Sequence, residues 1–240
     1  MTRDPIPPPT LARLARDIVG ESGADGIEDE LLVWLAGSAR FRVFVEANRD
    51  KIHKKVRTAG DADALRDVRA ELLAARLLLA ERRVELAFEA YGTGRRGPDF
   101  TLTFRGTRTL NLEVTRLRRQ PSPTGLATTI LAKLRQLPPS VPNALIMAID
   151  AEAADGVELG TAARSLRARA DAKDDAFFDR AGFEGSRGFY DRYLRLGAVF
   201  AWCERAAGDG RAALWTNASA RIALPERAAL ACLACLREGV

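Results

Sequence analysis

At 240 residues the chain has room for one large domain or two small ones, with a sizeable core in either case. Its 47% hydrophobic and 29% charged residues are the balance of a globular protein, and no apolar run approaches the roughly 20 residues that cross a bilayer, which excludes a membrane-spanning class. The formal charge of +5 and pI near 9.4 admit nucleic acid as a partner without requiring it, because the arginine and alanine bias of a genome gives the same balance.

The first ten residues, MTRDPIPPPT, hold no apolar stretch of a secretory signal, and Met1 to Thr10 reads as extended or disordered. The small odd set of cysteines (Cys203, Cys232, Cys235) points to a reducing cytoplasm. Leu11, Leu14, Ile18 and Val19 then recur at helical spacing, with Thr10 as N-cap. A second short helix carries Leu31, Leu32, Trp34 and Leu35 and ends near Gly37. Ser38 opens a third, with Phe41, Phe44, Val45, Ile52 and Val56 inward. On it Lys51, Lys54 and Lys55 share a face, which is either a phosphate-contacting patch or a solvated helix end that complements the macrodipole. His53, the only histidine, reads as a surface residue there. Asp61 caps the longest helix, running to about Arg83. In it Glu71 sits among Leu72, Leu73, Ala74 and Ala75, with no arginine at the i±3 or i±4 spacing that favours pairing.

From Val84 to Thr115 the pattern changes to period two, broken at Gly92, Gly94, Gly97, Pro98 and Gly106, and predicts a β-meander. Leu110, Leu112 and Val114 share one face of the last strand; Asn111, Glu113 and Thr115 share the other. Phe100, Leu102 and Phe104 alternate in the same way with Asp99, Thr101 and Thr103. If these strands pair, Asp99 and Glu113 meet on one face. Two neighbouring carboxylates repel unless a cation lies between them, and an all-oxygen site suits a hard divalent ion. The glycine-rich loop before Asp99 carries Arg95 and Arg96, and the loop after Thr115 carries Arg116, Arg118 and Arg119. These are phosphate-holding positions or simply arginine-decorated turns.

A helix follows from Gly125, with Leu126, Ile130, Leu131, Leu134 and Leu137 as its apolar stripe and Lys133 and Gln136 beside it. Asn143–Asp150 is an apolar run of the kind that marks a strand covered on both faces. A charged helix over Glu158–Asp175, an aromatic-rich segment from Phe177 to Tyr193 packed beneath a long loop, a strand over Leu196–Cys203, a strand within RAALWTNASARIALP and a closing helix over Leu230–Leu236 complete the chain. Cys232 and Cys235 form a C-x-x-C without a second pair, which reads as two thiols and not a zinc site.

Pro98-Asp99 followed by Glu113-Val114-Thr115 after a strand-length gap, with Glu71 on the preceding helix, resembles the PD-(D/E)XK nuclease superfamily over Asp61 to Pro225. The family pattern has a lysine where this chain has Thr115. The resemblance implies an α/β fold: a restriction-endonuclease-like mixed β-sheet core flanked by helices over residues 59–240, with a helical segment over 1–58 packed on it. It also implies Mg²⁺ or Mn²⁺ held by Asp99, Glu113 and the carbonyl of Val114, with Glu71 on a bridging water or second ion. Lys133 takes the part of the displaced lysine, Gln136 supports it, and Thr115 does no more than orient a water. The function implied is metal-dependent hydrolysis of nucleic-acid phosphodiesters, DNA foremost, in the cytoplasm. Two alternatives stay open: a nuclease-fold module that no longer cleaves but binds nucleic acid or a protein, and a homo-oligomer, a homodimer in the simplest case, whose basic face meets an acidic partner.

Overall fold

The computed structural model describes residues 8–20, 26–91, 97–117, 122–149, 157–204 and 211–238. The chain divides into two compact units, Met1–Ala80 and Glu81–Val240.

The first unit is helical: α1 (Pro8–Val19), α2 (Ile27–Gly37), α3 (Ala39–Ala47), α4 (Arg49–Thr58) and α5 (Ala62–Leu78). Thr10, expected as a cap, lies inside α1. Ser38 does cap, its Oγ accepting from the Phe41 amide at 3.2 Å, and Asp61 Oδ1 accepts from the Ala64 amide at 2.7 Å. The single helix expected after Ser38 is two, parted at Asn48. There the backbone leaves helical values (φ −115°, ψ 15°), and the side-chain amide donates to the Phe44 carbonyl at 2.8 Å, competing with the helical ladder. The long helix α5 falls in the first unit, which runs to Ala80. Polar contacts tie it there. Arg69 makes a two-pronged pair with Glu30 of α2 (2.5 and 2.7 Å), Lys55 of α4 pairs with Glu71, and Arg40 of α3 donates to the Leu79 carbonyl at 2.6 Å. Ile18, Leu31, Leu35, Phe41 and Ile52 are wholly buried in this unit.

The second unit is a six-stranded mixed sheet with helices packed on it: β1 (Val84–Phe88), β2 (Phe100–Phe104), β3 (Arg108–Leu117), α6 (Pro123–Leu134), β4 (Asn143–Ile149), α7 (Leu159–Asp171), α8 (Asp175–Arg180), α9 (Gly185–Tyr193), β5 (Leu196–Cys203), β6 (Ala212–Thr216) and α10 (Glu226–Glu238). The strands lie in chain order. The first three are antiparallel, β3, β4 and β5 are parallel, and β6 returns antiparallel. The β2–β3 turn puts Arg105 and Gly106 at φ 54° and 68°, the sign that lets a tight hairpin follow the twist of its strands. Ser122 caps α6, accepting from the Gly125 amide at 3.1 Å, with proline at the first helical turn.

One face of the parallel strands is covered by α6 to α9. Leu117, Leu145, Met147, Ile149, Val199, Ala201 and Cys203 pack there against Leu126, Ile130, Leu134, Leu166, Phe178, Phe189 and Tyr193. The aromatic segment expected under a loop is therefore helix and core; Phe178 and Phe189 stack with centroids 4.4 Å apart. On α9, Ser186 donates to Asp175 Oδ1 from its amide and hydroxyl (2.7 and 2.6 Å), and these bonds hold the Asp175 carboxyl below its ordinary range. Helix α10 packs on β5 and β6, and β5 is buried along its whole length. No helix among the described residues is long and apolar enough to cross a membrane.

Candidate functional site

The register brings Asp99 and Glu113 together. Phe100 pairs with Leu112 across β2 and β3, so Asp99, one step before β2, comes opposite Glu113. Directly opposed residues of an antiparallel pair have Cβ atoms about 5 Å apart. The Asp99 carboxylate turns into the gap left where β2 begins: Oδ2 accepts from the Val114 amide at 2.8 Å, in the position a strand carbonyl would otherwise fill. In an extended strand the N–H and C=O of one residue point to the same flank. The Val114 carbonyl is therefore directed toward the flank that Asp99 occupies.

Glu113 is 2% exposed, on the face covered by α6. Its Oε1 accepts from Lys133 Nζ at 2.7 Å. Lys133 lies in the last turn of α6, where Leu126, Ile130 and Leu134 on the neighbouring stripe fix the helix against the sheet and so aim the lysine at β3. The cation beside Glu113 thus comes from the helix that follows β3. Thr115 itself is half-buried, paired across with Met147. Gln136 lies just past the end of α6, half-buried, with its amide bonded to the Lys133 carbonyl at 3.0 Å.

A polar row that sequence reading missed runs directly beneath this pair. Asn111 and Asn143, both wholly buried, face each other across β3 and β4, and Asn111 Nδ2 donates to Asn143 Oδ1 at 3.0 Å. Thr101 Oγ1 donates to Asn111 Oδ1 at 3.2 Å, and the Tyr91 hydroxyl lies 3.2 Å from Asn111 Nδ2. Asn143 Nδ2 lies within 3.0 Å of the carbonyls of Pro138, Val141 and Arg195, which fixes the loops at the start of β4 and β5. A Cβ on Gly97 would stand 2.8 Å from Tyr91 Cβ, so glycine is what admits the tyrosine to this row. The signal for the row was present: an asparagine opening an otherwise apolar strand, Asn143, and another on the Glu113 face, Asn111.

Glu71 belongs to the first unit, 8% exposed, and its carboxylate is engaged by Lys55 of α4. Sequence spacing within α5 hid that partner because it comes from another helix. The pairing also takes Lys55 out of the Lys51–Lys54–Lys55 face. His53 is half-buried, its Nδ1 3.3 Å from the Ile18 carbonyl, and is not a bare surface residue. Arg116 alternates with Thr115 and so stands on the face of β3 opposite Glu113. Arg95, Arg96, Arg118 and Arg119 lie outside the described residues. The C-x-x-C thiols are buried in α10; burial pushes Cys235 up to about 11 and Cys232 further, which keeps both protonated.

Among the described residues no group of three or more His, Cys, Asp or Glu side chains is placed to hold a metal ion. The donors at the candidate site are two carboxylates and a backbone carbonyl, all hard oxygen of the kind that Mg²⁺ takes. No family model, curated protein or solved structure matches the chain.

Proposed function

We propose that the Asp99–Glu113–Lys133 constellation is the active centre of a metal-dependent phosphodiesterase acting on nucleic acid, built on a PD-(D/E)XK-like core. The observation that carries the reading is the Lys133–Glu113 contact at 2.7 Å, which returns a cation to the strand pair that has Thr115 where the superfamily pattern has lysine. The element order α5, β1, β2, β3, α6, β4 is that of the superfamily's core and adds support. Asp99, Glu113 and the Val114 carbonyl would hold Mg²⁺, which when bound lowers the pKa of a water and polarises a phosphate. The chain's own contribution is positioning. The Val114 amide orients the Asp99 carboxylate, the buried Glu113 is held by Lys133, and Lys133 keeps a positive charge beside the place where a phosphoryl oxygen gains negative charge. Thr115 has a hydroxyl to orient a water and no group to titrate near neutrality.

A second reading has specific support as well. Asp99 and Glu113 already have protein partners, and Glu71 is spent on Lys55, which is how a fold that binds without cleaving also satisfies its carboxylates. Incubation of the purified protein with plasmid DNA and Mg²⁺ or Mn²⁺ separates the two. Hydrolysis is expected, abolished by chelation and reduced at least about 100-fold in Asp99→Ala and Glu113→Gln. Retained DNA binding with no cleavage by the parent protein at any metal concentration would overturn the enzyme reading in favour of the binding module.

A further inference from the structure

A cleft of about 340 Å³ opens between the end of α6, the α8–α9 turn and the start of β5, lined by Arg135, Gly182, Glu184, Asp191, Arg192 and Arg195. Its charges do not cancel. Asp191 pairs with Arg221 at 2.8 Å, which among the described residues leaves Glu184 as its one carboxylate without an ion pair, against three guanidiniums. Among the described residues Arg135, Arg192 and Arg195 have no ion pair. Arg195 donates from Nη1 to the Leu137 carbonyl at 3.2 Å, while its Nε is buried without an acceptor. Burial, and then the neighbouring Arg192 and Arg221, make its proton easier to lose than an ordinary arginine's. The backbone leaves room on one wall: a Cβ on Gly182, at φ 80°, would lie 2.6 Å from Arg135 Nη1.

We propose that this cleft binds a phosphoryl oxyanion. Guanidiniums match tetrahedral oxyanions through paired N–H donors, and three converging on one cleft repel one another until an anion enters. The polar framework ties the cleft to the candidate centre. The Arg195 carbonyl accepts from Asn143, Asn143 from Asn111, and Arg135 follows Lys133 by two positions on the same helix end. The proposal does not rest on the nuclease reading, since it requires no metal and no cleavage.

Isothermal titration of the full chain at fixed ionic strength, without divalent metal, tests it. Saturable binding of inorganic phosphate is expected, weakened at least about tenfold in Arg135→Gln/Arg192→Gln, two side chains with no hydrogen bond to lose among the described residues. A short oligonucleotide without terminal phosphates identifies the source. If it binds and the double variant weakens it, the cleft takes a backbone diester; if phosphate alone binds, it takes a free or terminal phosphomonoester. Failure of both ligands to bind, or equal binding by the double variant, overturns the assignment whether or not the protein cleaves DNA.

Discussion

Replacing Lys133 by Met is expected to cost about 3–5 kcal/mol of folding stability, because it strands the Glu113 carboxylate in a site nearly closed to water. Glu113 has a side-chain exposure of 3% and Lys133 of 24%, so the pair is far from the screened surface regime in which a salt bridge is worth little. The double substitution Lys133→Met/Glu113→Gln removes both charges and is expected to recover more than half of the loss. Urea unfolding of the four proteins closes the cycle. A single-variant cost below about 1 kcal/mol would mean that the pair is solvated and that Glu113 is not held by the lysine. On the enzyme reading Lys133→Met also removes cleavage from the protein that remains folded, whereas Lys133→Arg keeps a cation and part of the activity.

Asn143→Asp should be almost as damaging, although it leaves the number of heavy atoms unchanged. The Asn143 amide faces the carbonyls of Pro138, Val141 and Arg195, and a carboxylate there would oppose all three with oxygen. A cost of at least about 3 kcal/mol at neutral pH is expected from lost hydrogen bonds and an unsolvated charge. The sign with pH is fixed. The introduced carboxyl would titrate higher in the folded state than in the unfolded one, so its penalty is smallest below the unfolded value near 4 and grows as pH rises toward 7. A deficit in chemical-denaturation midpoint that stays constant from about pH 4 to 7 would show that Asn143 is not buried against these carbonyls.

What the sequence made legible was local. Period-two alternation located β2 and β3 and put Asp99 and Glu113 on one face, because a strand's side chains alternate whatever lies beyond it. The apolar stripe of α6 placed Lys133 beside the packed face for the same reason. What escaped was every partner drawn from another element. Lys55 is sixteen residues from Glu71 on a different helix, and Arg69, two residues before Glu71, reaches Glu30. Asn48 could be read as helical until its side chain was seen bonding the backbone. The arginine cleft joins the end of α6 to α9 and β5, and no periodicity reports such a meeting.

The spacing of contacts also orders assembly in time. Asp99 reaches Val114 across 15 residues and Lys133 reaches Glu113 across 20, whereas the Asn111–Asn143 bond spans 32 and the Asn143–Arg195 bond 52. Short loops close first, since closure entropy rises with length and long-range strand pairing is slow. A hairpin that juxtaposes the two acids before the helix carrying their counter-charge has docked takes the refolding chain through a self-repelling state. Refolding in stopped-flow experiments is accordingly expected to accelerate as salt is raised from about 0.01 to 0.15 M, where the Debye length shortens from about 30 to 8 Å; a rate indifferent to salt would place helix docking ahead of hairpin closure.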